Sequence, residues 1–68
     1  MILKITKHAR DKMSALAINK DMIKMAIKRG SKFKSGDNKF ISVYSFFTVV
    51  YQPLGNNVYK TVTVYENK

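Results

Sequence analysis

His8 is the single histidine of this 68-residue chain, and imidazole is the one side chain whose ordinary titration falls near neutrality. Thr6 reads as a helix N-cap, which puts His8 in the first turn, where outward-pointing backbone N–H groups attract phosphate. Arg10 and Lys12 follow closely, and Asp11 lies three residues on, within reach along the helix surface. An imidazole beside such an anion site can act as a general acid or base. It can equally be a capping or surface histidine whose ring packs on a sheet, and spacing alone favours that second role.

Other chemistries find little support. The four carboxylates, Asp11, Asp21, Asp37 and Glu66, are scattered, whereas two-metal nucleases need several that converge. No metal and no cofactor are therefore expected. The lone His permits a Ser-His-Asp triad on paper, but no nucleophile-elbow pattern accompanies it. Gly30, Gly36 and Gly55 stand isolated, so there is no glycine-rich phosphate loop. With no cysteine in the sequence, disulfides, thiolate metal sites and cysteine nucleophiles are excluded.

Charge is the dominant compositional fact. Thirteen Lys and Arg oppose four Asp and Glu, a net +9. Such a field attracts phosphate backbones, acidic proteins and anionic membranes, although a Lys-rich surface also simply keeps a small protein in solution. RNA is the leading expected partner, ahead of other nucleic acid and of an acidic protein. Lys20, Lys24 and Lys28 recur every four residues, as a solvated helix face does. Tyr44, Tyr51, Tyr59 and Tyr65 all fall in predicted strands. A tyrosine there can stack a base and hold a phosphate or sugar, or edge the core with its hydroxyl reaching water. The expected nucleic-acid contacts are Arg10, Lys20, Lys24, Lys28, Tyr59 and Lys60.

These residues need elements to position them. The length allows one domain, 1–68, with a modest core. Ile2 to Ile5 reads as a short extended lead-in. Ala9, Met13, Leu16 and Ala17 form the apolar stripe of a first helix. Asn19 caps a second, with Asp21 in its first turn, an apolar face of Ile23, Ala26 and Ile27, and Gly30 ending it in a left-handed conformation. The two helices are expected to form a hairpin. The period then changes to two. Strands are predicted at Ser31 to Lys34, Lys39 to Ser45, Phe46 to Gln52 and Val58 to Tyr65. A turn at Ser35 to Asn38, a tight turn near Tyr44-Ser45 and a loop over Pro53 to Asn57 separate them. Val58, Val62 and Val64 should face one way, and Tyr59, Thr61, Thr63 and Tyr65 the other. The fold class is α+β: an N-terminal helix hairpin packed on a four-stranded antiparallel sheet, with one sheet face at least partly open. Lys4 and Lys7 interrupt the N-terminal apolar residues, so no signal peptide is expected. The apolar-rich run Val43 to Tyr51 is about half of the ~20 residues a membrane helix needs. No membrane partner and a cytoplasmic location are expected.

His8-Ala9-Arg10-Asp11-Lys12-Met13, Ile18, and Asp21 through Gly30 resemble a family of small microbial and phage proteins known as a domain of unknown function (number 4258). Ala26-Ile27-Lys28-Arg29-Gly30 fits the end of that family's short helix, and Thr61-Val62-Thr63-Val64-Tyr65 looks like its final strand. The sequence departs from the family at Lys12 and Leu16, usually Arg, and at Ala17, usually Gly. Losing Arg removes a planar fork that grips phosphate at two points. The family is similar to RelE- and ParE-like toxins and to other metal-independent ribonuclease folds. The resemblance implies a RelE-like fold and an active site assembled from His8, Lys12, Thr61, Thr63 and Tyr65. The implied reaction is attack by the RNA 2′-OH on the adjacent phosphate, which needs a base, an acid and cations on the phosphorane oxygens. His8 would serve as base or acid. Lys12, Arg10 or Lys60 would neutralise charge, and Thr61, Thr63 or Tyr65 would orient the phosphate. It implies a toxin, with a protein antitoxin as further partner. The alternatives are a non-catalytic nucleic-acid-binding module, or a small phage or accessory protein that docks on and inhibits an acidic protein.

Overall fold

The computed structural model describes residues 1–67. The element order is β1 (Ile2–Ile5), α1 (Lys7–Leu16), α2 (Lys20–Arg29), β2 (Ser31–Lys34), β3 (Phe40–Tyr44), β4 (Phe47–Gly55) and β5 (Val58–Glu66). The strands form one five-stranded sheet in the order β1-β5-β4-β3-β2. The class is α+β, as expected, but the sheet is mixed rather than a four-stranded antiparallel meander. The extended lead-in is a full strand, β1, which pairs in parallel with β5, Leu3 opposite Tyr59 and Ile5 opposite Thr61. Alternation explains its place: Leu3 and Ile5 reach the core while Ile2 and Lys4 stay exposed.

Both helices lie on the same face of the sheet, α1 against β5 and α2 against β3 and β4. Each packs on the sheet more than on the other, which corrects the expected hairpin. Thr6 caps α1 by accepting from the backbone N–H of Ala9 at 3.0 Å, and Asn19 caps α2 by accepting from Met22 at 2.9 Å. The stripe of α1 is narrower than expected: Ala9 and Met13 are buried, Leu16 is half-buried and Ala17 is exposed. Ala17 is left-handed, at φ 57°. Its N–H reaches the carbonyl of Ser14 and that of Ile18 reaches Met13. This double closure is the Schellman arrangement, with the Met13–Ile18 apolar contact that goes with it.

Gly30 ends α2 in extended backbone, φ −69° and ψ 164°, so the expected left-handed conformation is absent. The position needs glycine for space. A Cβ there would lie 2.2 Å from Ser42 Oγ, 2.6 Å from the Ala26 carbonyl oxygen and 2.8 Å from that of Val43. The end of α2 is thus pressed onto β3, and the buried Ser42 hydroxyl donates to the Ala26 carbonyl.

The core is the layer between helices and sheet: Met13, Ile18, Ile23, Ala26 and Ile27 against Phe47, Val49, Tyr51 and Val64. Most of these are β-branched or aromatic on the strand side, which suits a pleated surface. Two turns differ from expectation. Residues 53–55 continue β4, and the hairpin closes on Asn56 and Asn57 alone, both at positive φ. That is the two-residue geometry whose twist matches the strands. Pro53 is tolerated because β3 pairs with β4 only as far as Tyr51, so one side of β4 is free of ladder bonds there. Its carbonyl accepts from the Asn38 side-chain amide at 3.3 Å. The β3–β4 turn falls at Ser45-Phe46, one residue beyond the expected centre.

Candidate functional site

The placement of the expected site residues turns on one irregularity in β5. The register runs Val50 opposite Thr63, then Tyr51 opposite Thr61, so Val62 is an extra residue. A bulge of this kind breaks the alternation of a strand. Tyr59, Thr61 and Val64 therefore face the helices, while Lys60, Thr63 and Tyr65 face the uncovered side. The expected grouping of Tyr59, Thr61, Thr63 and Tyr65 on one face is corrected accordingly.

Thr61 is completely buried beneath the helix layer, and its hydroxyl has no hydrogen-bond partner among the described residues. It is closed to any phosphate. Tyr51 and Tyr59 meet edge to face, their ring centroids 6.0 Å apart. Burial, with Tyr59 adding to it, raises the pKa of the Tyr51 hydroxyl. Tyr44 packs against the core edge beside Phe47. Of the four tyrosines only Tyr65, 43% exposed, stands on the uncovered face.

His8 and Lys12 are exposed on α1, one helical turn apart on one flank. Arg10 is exposed on the opposite flank, because Ala9 and Met13 between them face the core. The expected catalytic set is thus divided among three places: His8 and Lys12 on α1, Thr61 inside the core, and Thr63 and Tyr65 across the sheet. No pocket joins them among the described residues, nor does any group of three or more metal-ligating side chains occur there.

The cations have a clear distribution. Lys7, Arg10, Lys12, Lys20, Lys24, Lys28 and Arg29 belong to the helices. Lys32 and Lys34, opposite Ser42 and Phe40 in the register, lie on the same side. Lys20, Lys24 and Lys28 form one flank of α2, with Lys24 half-buried and the other two exposed. Lys32 extends this flank. Its ammonium donates to the carbonyls of Lys28 at 3.1 Å and Gly30 at 3.3 Å, and so binds the negative end of the helix dipole. Sequence reasoning missed Lys32 and Lys34. Their alternation with Phe33 in the strand Ser31–Lys34 was the signal that would have placed them beside α2. On the uncovered face lie Lys4 and Lys60, which are partners in the parallel register, and Lys39 is exposed in the connection between β2 and β3.

No family model matches the chain, and no curated protein or solved structure matches it. None of the described helices is long and apolar enough to cross a membrane.

Proposed function

We propose that this protein binds nucleic acid, RNA foremost, by laying the phosphate backbone along its helix-bearing side, and that it does so without cleaving it. The observation that carries this reading is the continuous cationic flank of Lys20, Lys24, Lys28 and Lys32 along α2 and onto β2, in a chain of net charge +9. Flexible lysines at helical spacing act as point charges that contact phosphates without reading bases. Arg10 and Lys12 on α1 add to the same side.

A metal-independent ribonuclease of RelE-like type would need His8, Lys12, Thr61, Thr63 and Tyr65 around one phosphate. Their separation is what favours binding without turnover. Lys60 and Tyr59, included among the expected contacts, fall outside the proposed surface, since Lys60 lies across the sheet and Tyr59 packs at the core edge.

The test is a titration of labelled single-stranded RNA in EDTA across a range of salt. Affinity should fall linearly on logarithmic axes, and each phosphate-contacting lysine replaced by Gln should lower the slope by about 1. The RNA should remain intact with wild type and with His8→Ala. A flat salt response would remove the proposal, and metal-free cleavage lost in His8→Ala would restore the ribonuclease reading.

A further inference from the structure

The side of the sheet away from the helices has a different character. Phe33, Ile41, Val50 and Thr63 are successive register partners across β2, β3, β4 and β5. They form one cross-strand row, and Val43 lies beside it on β3. Phe33 is 58% exposed and Val43 37%. The solvent side of an antiparallel sheet is ordinarily polar. Here aliphatic and aromatic groups run together across three strands, with Thr63 continuing the row on the fourth, and contiguous exposed apolar surface of this kind marks an interaction site. Beyond this row, toward the other end of the strands, lie Gln52, Lys60 and Lys4.

From this the geometry points to a protein docking surface whose occupant is an acidic amphipathic helix of another protein. Its apolar side would rest on Phe33, Ile41, Val43 and Val50, and its carboxylates would meet Lys4 and Lys60. The centre of the row is β-branched and aliphatic, and the exposed rings of this face, Phe33 on β2 and Tyr65 on β5, stand three strands apart, so they form no continuous platform on which bases stack. A second copy of this chain would bring another +9 with it. It would also have no acid to offer Lys4 and Lys60 from this face. Asp11 and Asp21 are on the helices, Asp37 is in the β2–β3 turn, and Glu66 is opposite Phe47 on the helix-facing side. The missing negative charge must come from a different protein. Four strands at their usual spacing span roughly 15 Å, the length of a helix of about ten residues. This surface is opposite the proposed RNA-binding flank, and neither assignment requires the other.

The test uses two labelled synthetic helical peptides with the same leucine face, one otherwise glutamate-rich and one lysine-rich. Fluorescence anisotropy should show the wild-type protein binding the acidic peptide and not the basic one. Phe33→Asp and Val43→Asp should each weaken that binding at least tenfold, while Lys24→Gln and Lys28→Gln leave it within twofold. Chemical-shift mapping on the wild type requires no variant to fold, and should perturb amides of Phe33, Ile41, Val50 and Lys60 ahead of those of α2. Equal binding by wild type and both Asp variants, or shifts concentrated on α2, would overturn the docking surface as mere charge attraction. Concentration-dependent dimerisation abolished by Val43→Asp would assign the face to a second copy instead. Loss of RNA binding in Phe33→Asp would assign it to nucleic acid. An RNA titration that fails with the wild type would leave the peptide result unaffected.

Discussion

The hydroxyl of Thr6 donates to the carbonyl of Val62 at 3.0 Å while accepting from the N–H of Ala9 at 3.0 Å. One side chain thus caps α1 and fastens it to the extra residue of the β5 bulge. The bulge determines which residues of β5 face the helices, so Thr6 connects the start of the helix layer to the register of the last strand.

Thr6→Ala removes both bonds and should destabilise the protein by about 2 kcal/mol, the cap and the carbonyl bond together. Thr6→Ser should recover most of it. Urea unfolding of the two variants measures the difference, and an unchanged midpoint for Thr6→Ala would disprove the double role.

Thr61→Val replaces a buried, unpartnered hydroxyl with a methyl of nearly the same shape. Because an unsatisfied buried hydroxyl costs about 1–3 kcal/mol, the variant should be more stable by roughly 1 kcal/mol or more, with RNA affinity unchanged. A fall in RNA affinity at constant stability would give Thr61 the phosphate-orienting role that its burial denies it.

Ala17→Gly acts on the left-handed residue that closes α1. Relief of the Cβ strain is worth about 1–2 kcal/mol, and the greater freedom of glycine in the unfolded chain takes back about 0.4–1. A net gain between about 0 and about 1.6 kcal/mol is expected from thermal melting.

Gly30→Ala should destabilise by about 1–3 kcal/mol or more. Two of the three atoms its Cβ would meet are backbone oxygens, which cannot swing aside. Ser42→Ala made together with it should recover only part of the loss, as read by the denaturation midpoint.

Alkaline pH should weaken the fold through Tyr51. Its pKa is raised above the usual 10.0 by burial first and by Tyr59 second. A tyrosine shifted upward keeps its proton longer when folded than when unfolded. Its contribution is intact below pH 10 and is lost as pH climbs through the folded value. Tyr51→Phe should flatten that part of the stability profile measured by chemical unfolding between pH 9 and pH 12.

Much of the local structure was legible in residue types. Thr6 and Asn19 announced their caps, Ile23, Ala26 and Ile27 the buried face of α2, and the change of period after Gly30 the start of the strands. What failed was non-local. A four-residue segment such as Ile2–Ile5 becomes a strand only because β5, more than fifty residues later, offers it an edge. The bulge at Val62 has no local signature, so simple alternation put Thr61 and Tyr59 on the wrong face. Gly30 ends the helix as its residue type predicts, but the crowding by Ser42 that requires it depends on how α2 meets β3. The same bulge places Thr61 apart from Thr63 and Tyr65 within the expected catalytic set. The basic flank of α2 was visible as a repeat of four, whereas its extension through Lys32 needed the strand's register.

β5 lies between β1 and β4, so the first strand of this sheet has no neighbour until the last of its five strands has been synthesised. A nascent chain emerging from the ribosome can wind α1 and α2 early, but it must carry β1 unpaired until Val58 and its successors are free. Contacts that distant in sequence slow folding. Meanwhile Leu3 and Ile5 remain open to adhesion with other chains, and the net charge of +9 sets like-charged chains against one another during that interval.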